Sequence, residues 1–257
     1  MRRAAAALVP LLLQSAPASR PDTVDLRPRW QELGLPVPQQ GGRGTCSVFV
    51  VTQALEFALA HGQRQGTRLS AEFLNWASND TLGQAVDGGF FSDLWRGFLA
   101  HGICPDTDLP YRAGFDPALR PGAEALANAR AARDAGLQLC WIKEWNVTTG
   151  LTDAQLQAIQ HTLAQGWPVL SGCRWPRQRA WRGDVLDQPP PEGVRDGHSV
   201  LLIGYRRDPA QPGGGAFLLR NSAGQPEVGW MTFAYARAYT NDAAWIAPAH
   251  PASRPGG

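Results

Sequence analysis

Apolar residues keep one rhythm in the first half of the chain and another in the second. Over 45–61, Val48, Val51, Leu55 and Leu59 recur on one side and Phe49, Ala54 and Ala58 on another. That spacing predicts a wide-faced, largely buried helix, which Gly62 can end. A second helix is expected over 69–79, with Ser70 as N-cap and Phe73, Leu74 and Ala77 inward. A third is expected over 92–100, opened by Ser92 and ended near Gly102. Residues 20–44 are rich in Pro, Gln and Gly and read as extended chain and turns. Residues 121–136 are polar and Ala-rich, with no assignable period. Beyond them the pattern favours strands at 137–145, 168–173, 199–205, 216–220 and 229–235. One amphipathic helix interrupts them at 152–165, capped by Thr152 or Asp153, with Leu156, Ile159 and Leu163 on one face. Residues 174–195 read as loop. Helices followed by mostly antiparallel strands make an α+β layout.

Residues 1–18 differ from the rest. Arg2 and Arg3 precede a short apolar run, and Ala16 and Ala18 stand where a signal peptidase reads small residues. This is expected to be a signal peptide, which makes the chain secreted or periplasmic. No stretch reaches the ~20 apolar residues of a membrane-spanning helix. Residues 248–257 are expected to fray as a tail. With 44% hydrophobic and 18% charged residues, the chain can fill a core, and disorder throughout is excluded. The formal charge of +2 lies in Arg2 and Arg3, so the remainder is neutral and carries no mark of a nucleic-acid binder. Four cysteines are too few for a disulfide scaffold, and no paired CxxC, HExxH or phosphate-cradling glycine motif occurs. No metal or cofactor is expected.

Cys46 opens the strongest helix, directly after the glycine-rich run 41–44. A thiol there meets unpaired N–H groups and the positive end of the helix dipole, both of which favour the reactive thiolate. A buried structural cysteine would occupy the same position. His198 precedes a buried strand and can project into a cleft, or simply bond to backbone. Asn221 ends the next strand, where it serves either as a turn residue or as an acceptor that sets the tautomer of a histidine.

The order Cys46, His198, Asn221 makes the pattern specific. The sequence resembles the papain-like, cathepsin-type cysteine peptidases, with flanks nearest to bacterial members. The segment from Gln40 through Gly44-Thr45-Cys46 to Phe49 resembles the family's nucleophile segment. Val24-Asp25-Leu26-Arg27 resembles the start of its mature enzymes, and Leu69-Ser70-Ala71-Glu72-Phe73-Leu74 its second-helix motif. Asp87-Gly88-Gly89-Phe90 resembles the substrate-binding turn, and Gly197-His198-Ser199-Val200 and Leu219-Arg220-Asn221-Ser222 the histidine and asparagine motifs. The likeness runs from Val24 to Trp245.

The resemblance implies a two-lobe fold, with a helical lobe at about 40–120 and an antiparallel, β-barrel-like lobe at about 121–247, within one peptidase domain at 19–247. It implies a cysteine endopeptidase acting as a monomer on peptide or protein substrates. Cys46 is then the nucleophile, resting as an ion pair with His198. Asn221 orients the imidazole, and Gln40 joins the Cys46 N–H in holding the oxyanion. Gly88 and Gly89 pair with the substrate backbone. Phe90, Phe91 and Ser199 line a pocket of apolar preference.

Several positions depart from the family pattern. Ser47 and Ala223 replace tryptophans, Gly197 replaces Asp or Asn, and Arg43 replaces a disulfide cysteine. Ala223 is expected to leave the His–Asn contact open to solvent unless Trp175, Trp181 or Trp230 covers it. A Cys140–Cys173 bridge or buried free thiols remain open. Only residues 19–23 separate the cleavage site from the mature-like start. No room for an inhibitory propeptide is expected there, so control is expected from a proteinaceous inhibitor, a partner or restricted substrate access. The alternatives are a silent papain-like binding protein and a cysteine-dependent amidase or acyl transferase.

Overall fold

The computed structural model describes residues 21–146, 148–178 and 181–249. The expected leader and all but the first two residues of the expected tail lie outside them. The chain opens with strand β1 (Thr23–Asp25) and a short helix α1 (Arg27–Glu32), in a stretch expected to be irregular. Pro28 falls in the first turn of α1, where its missing N–H is no loss, and Trp30 is buried.

Helix α2 (Cys46–Leu59) is buried from Cys46 through Ala58, which is why its apolar positions run around so much of its circumference. Helix α3 (Ala71–Leu82) starts where the Ser70 hydroxyl accepts from Phe73 N at 2.9 Å. Helix α4 (Phe91–His101) begins one residue before its expected start. Phe90 is its N-cap and Ser92 lies inside the first turn. The Ala-rich stretch forms α5 (Ala123–Arg133) and buries only Ala125 and Ala129. Such a narrow buried face leaves little periodicity to read. α5 packs against α4 through Gly102, where a β-carbon would collide with the Ala129 carbonyl.

Strand β2 (Leu137–Lys143) precedes α6 (Asp153–Ala164). Thr152 is the cap of α6, exchanging side-chain bonds with Gln155 in a capping box. Strands β3 (Val169–Pro176), β4 (Trp181–Arg182), β5 (Val185–Leu186), β6 (Val194–Arg207), β7 (Gly215–Arg220) and β8 (Val228–Thr232) follow. The strand expected over 229–235 stops at Thr232, whose hydroxyl accepts from Tyr235 N and starts α7 (Phe233–Tyr239). Strand β9 (Thr240–Pro248) closes the order.

The nine strands form one sheet in the order β2-β9-β3-β6-β7-β8-β5-β4, with β1 added to β6. Among the described residues, only the β5–β8 pair of this sheet is parallel. Its ends, β2 and β4, do not pair among the described residues, so the sheet is open and not the expected barrel. β9 lies between β2 and β3, so Cys140 and Cys173 sit on strands that are not neighbours. All four cysteines are free thiols.

One face of the sheet packs through Leu170, Leu201, Ile203 and Leu218 onto α2 and the helices around it. The other packs through Val169, Leu202 and Phe217 onto α6 and α7. The buried Arg220 joins the two halves: its Nε donates to Gln53 Oε1 on α2 at 3.0 Å, and Nη2 to the Leu35 carbonyl at 3.2 Å. The end of β7 is thereby pinned to the helix that begins at Cys46.

Candidate active site

Thr45 makes no side-chain cap at the start of α2, because its hydroxyl is engaged with the Tyr111 hydroxyl at 2.6 Å. The first N–H groups of α2 are therefore left without a side-chain cap. Cys46 Sγ lies among backbone donors and 3.7 Å from the Gly197 carbonyl. Burial pushes the thiol up, and the N–H groups of Ser199, Ser47 and Cys46 oppose it.

His198 sits inside β6, opposite Cys173, with Ser199 opposite Gly172. Gly197 just before it takes φ +97°, a conformation glycine adopts at little cost. The imidazole Nε2 is 2.9 Å from Asn221 Oδ1. The Asn221 amide is fixed in turn: Oδ1 accepts from Ala223 N at 3.2 Å and Nδ2 donates to the Ala223 carbonyl at 2.6 Å. Since Oδ1 only accepts, Nε2 carries the proton and a neutral ring keeps its lone pair on Nδ1. Burial pushes the imidazole down, Asn221 opposes that, and Arg195 adds to it.

The gap left by Ala223 is covered. Trp175 sits with its ring centroid 4.3 Å from that of His198, at 61° to it, and Trp181 backs Trp175 at 6.2 Å. Asn221 is 2% exposed. Trp230 is engaged elsewhere, beneath Arg206 at 4.2 Å. Of the three tryptophans named as candidates for that cover, Trp175 is the one against His198.

Cys46, His198, Ser199, Gly89, Phe90 and Phe91 border one open cavity of about 430 Å³. Gly88 does not border it; its N–H donates inward to Asn75 Oδ1 at 3.0 Å. Gln40 is buried and does not border the cavity. Its Nε2 donates to the Arg43 carbonyl at 2.8 Å, and its Oε1 accepts from Ser222 Oγ at 2.8 Å. One Nε2 hydrogen remains uncommitted.

A profile of the papain family cysteine proteases matches residues 20–247. The chain belongs to that family. Among similar proteins, Cathepsin B-like CP3 of Giardia intestinalis is 26% identical over 206 residues, which is 79% of this chain and 65% of that one. Thiol protease aleurain of Arabidopsis thaliana is 26% identical over 212 residues, 80% of this chain and 53% of that one. The chain therefore spans about half to two thirds of the length of these relatives. Among solved structures, xylellain, a cysteine protease from Xylella fastidiosa, superposes with a TM-score of 0.69 at 22% identity, covering 91% of this chain and 88% of that one. The digestive procathepsin L 3 of Tenebrio molitor superposes with a TM-score of 0.60 at 19% identity, covering 93% and 73%. The fold is papain-like.

Within this papain-family site, three features escaped the sequence reading. Trp145, about half exposed, borders the cavity with its ring tilted at 59° to that of Phe90, centroids 5.2 Å apart. Ser47, in place of tryptophan, accepts from Gly89 N at 3.4 Å. Asp242 borders the cavity from β9, its carboxylate seated where a side chain at Gly172 would collide with it. Burial pushes this carboxyl up to about 6, opposed by the Lys143 ammonium and by backbone N–H groups. The expected apolar pocket therefore carries an acid. The visible signal was Asn241-Asp242 within a run never assigned to a strand. No cluster of three metal-ligating side chains occurs among the described residues, and none of their helices is long and apolar enough to cross a membrane.

Proposed function

We propose that the chain is a cysteine peptidase in which Cys46 attacks the peptide carbonyl, His198 moves the protons and Asn221 sets the imidazole. The observation that carries this is the Asn221-held ring, with Nδ1 as its free acceptor, on the same cavity as a thiol at a helix N-terminus. The thiol proton has passed to Nδ1 when Sγ bonds to the carbonyl carbon. The oxyanion meets the Cys46 N–H and the uncommitted hydrogen of Gln40 Nε2. Collapse breaks the C–N bond to leave a thioester, and His198 returns the proton to the departing amine. Water, deprotonated by His198, then releases the acid and restores the resting pair. Thiol–imidazole and thiolate–imidazolium hold the same number of protons. Burial works against the charged form of each group, while backbone N–H groups at Cys46 and the Asn221 bond at His198 favour it, and the ion pair that the family resemblance implies stays the proposed resting state.

Gly89 is the residue of the turn that offers its backbone to a substrate strand. Phe90 and Phe91 take the apolar stem of a side chain, and Asp242 attracts a basic tip. We also propose that residues 1–18 are removed on export and that the chain acts as a monomer.

The test uses the purified chain, a peptide substrate and a thiol-directed peptidyl epoxide. The adduct is expected on Cys46 by mass spectrometry. Cys46→Ala should abolish hydrolysis, and Asn221→Ala should lower kcat by about tenfold or more, yet less than Cys46→Ala does. Labelling on another cysteine, or labelling unchanged in His198→Ala, would falsify the mechanism.

A further inference from the structure

Arg43 is 7% exposed, although it lies in the glycine-rich loop ahead of the nucleophile. Its guanidinium is held on several sides. Nε and Nη2 fork onto the Asp87 carboxylate at 3.0 and 2.8 Å, while Nη1 donates to Glu72 Oε2 at 2.6 Å and to the Arg112 carbonyl at 2.8 Å. The Tyr111 ring lies 4.5 Å beneath. Glu72 is 2% exposed and also accepts from Arg112 N at 3.0 Å. The buried cation is therefore met by two carboxylates and a carbonyl that engage four of its five N–H groups, which is what a buried ionic cluster requires in order to hold together.

The cluster joins two functional segments. Asp87 immediately precedes Gly88-Gly89, and it also accepts from Asn75 Nδ2, whose Oδ1 takes the Gly88 N–H. Gly88, at φ +95°, lies so close to Gly44 that a β-carbon would collide with the Gly44 carbonyl. On the other side, the Arg43 carbonyl receives the Gln40 side chain. The substrate-binding turn and the oxyanion donor thus share one buried residue, at the position where other family members were expected to carry a disulfide cysteine.

We propose that Arg43 is the positioning residue of the substrate-binding turn, an ionic clasp to Asp87 and Glu72 that holds Gly89 in register with Cys46 without a covalent bond. This rests on the peptidase reading above. Lysine cannot replace it, because a point charge cannot fork onto Asp87 and reach Glu72 together.

The test separates binding of a peptide backbone from reactivity of the thiol. Iodoacetamide needs no substrate strand, whereas a peptidyl epoxide does. In Asp87→Asn and Arg43→Lys, the rate of Cys46 alkylation by iodoacetamide is expected to stay within about twofold of wild type. Inactivation by the peptidyl epoxide should slow by about tenfold or more. For a peptide substrate KM should rise about tenfold with kcat changed less, the mark of lost uniform binding. An unchanged ratio of the two labelling rates in both variants would overturn the clasp alone. Equal loss with both reagents, or failure of the near-isosteric Asp87→Asn to fold, would make the cluster structural and overturn its positioning role. Failure of wild type to label at Cys46 with either reagent would overturn the peptidase reading and the clasp with it.

Discussion

Around His198, two side chains divide the work of orienting and covering the imidazole. Asn221 fixes the tautomer through a 2.9 Å bond, and Trp175 keeps water from it. Both residues were named from the sequence. The choice of Trp175 over Trp181 and Trp230 was not available there, because it depends on β3 running beside β6. Asp242 was missed for the same reason. A carboxylate in an unassigned segment gives no sign that a glycine six strands earlier in the chain has left room for it. Its carboxyl is raised to about 6, so it gains charge as pH rises through that value. We expect the ratio of kcat/KM for a peptide with a basic side chain in this pocket, against one with leucine, to climb between about pH 5 and 7. Asp242→Asn should flatten that climb, and a climb that survives the substitution would remove Asp242 from substrate selection.

Helix α2 carries both the nucleophile and a buried acid on its far turns. Glu56 is 1% exposed; its Oε1 accepts from Leu69 N at 3.0 Å, and Oε2 has only Arg68 at 3.6 Å. Burial pushes it up to about 7, with Arg68 opposing. The folded state therefore holds this proton more tightly than the unfolded chain does. Stability is lost as pH rises from the ordinary glutamate range, near 4.3, through about 7, and the loss is constant above that. Glu56→Gln should raise the stability of the fold above pH 7 by as much as about 3 kcal/mol, with no gain near pH 4, in thermal melts across that range. A gain independent of pH would mean that packing, not charge, sets the effect. The elements that were legible carry their own local signals. Ser70 and Thr152 cap their helices through bonds three residues long, and α2 shows its period. The run from 229 onward was misread, since Phe233 and Tyr235 suit a strand or a helix equally until Thr232 caps one.

At the scale of the molecule, catalysis as proposed needs two halves of the fold to hold one distance. Cys46 comes from the helical side, and His198 and Asn221 from the sheet. Arg220, next to Asn221, is a direct tie, donating to Gln53 on α2 and lying 4.0 Å over the Trp30 ring. Arg220→Met leaves Gln53 Oε1 and the Leu35 carbonyl without their donor. We expect a loss of about 2–4 kcal/mol in stability and a fall in kcat among the molecules that remain folded. A lowered Tm with kcat per folded molecule intact would leave Arg220 as a strut that does not position Asn221. The sequence by itself determined the papain-like class, the order of Cys46, His198 and Asn221, and the helices whose caps and periods lie within a few residues. Tertiary structure alone decided that the sheet stays open, that Trp175 shields the asparagine bond, that Arg43 meets Asp87 and Glu72, and that an acid enters the pocket. Each of these joins residues far apart along the chain, and no local period or cap encodes which side chains will meet once the chain closes on itself.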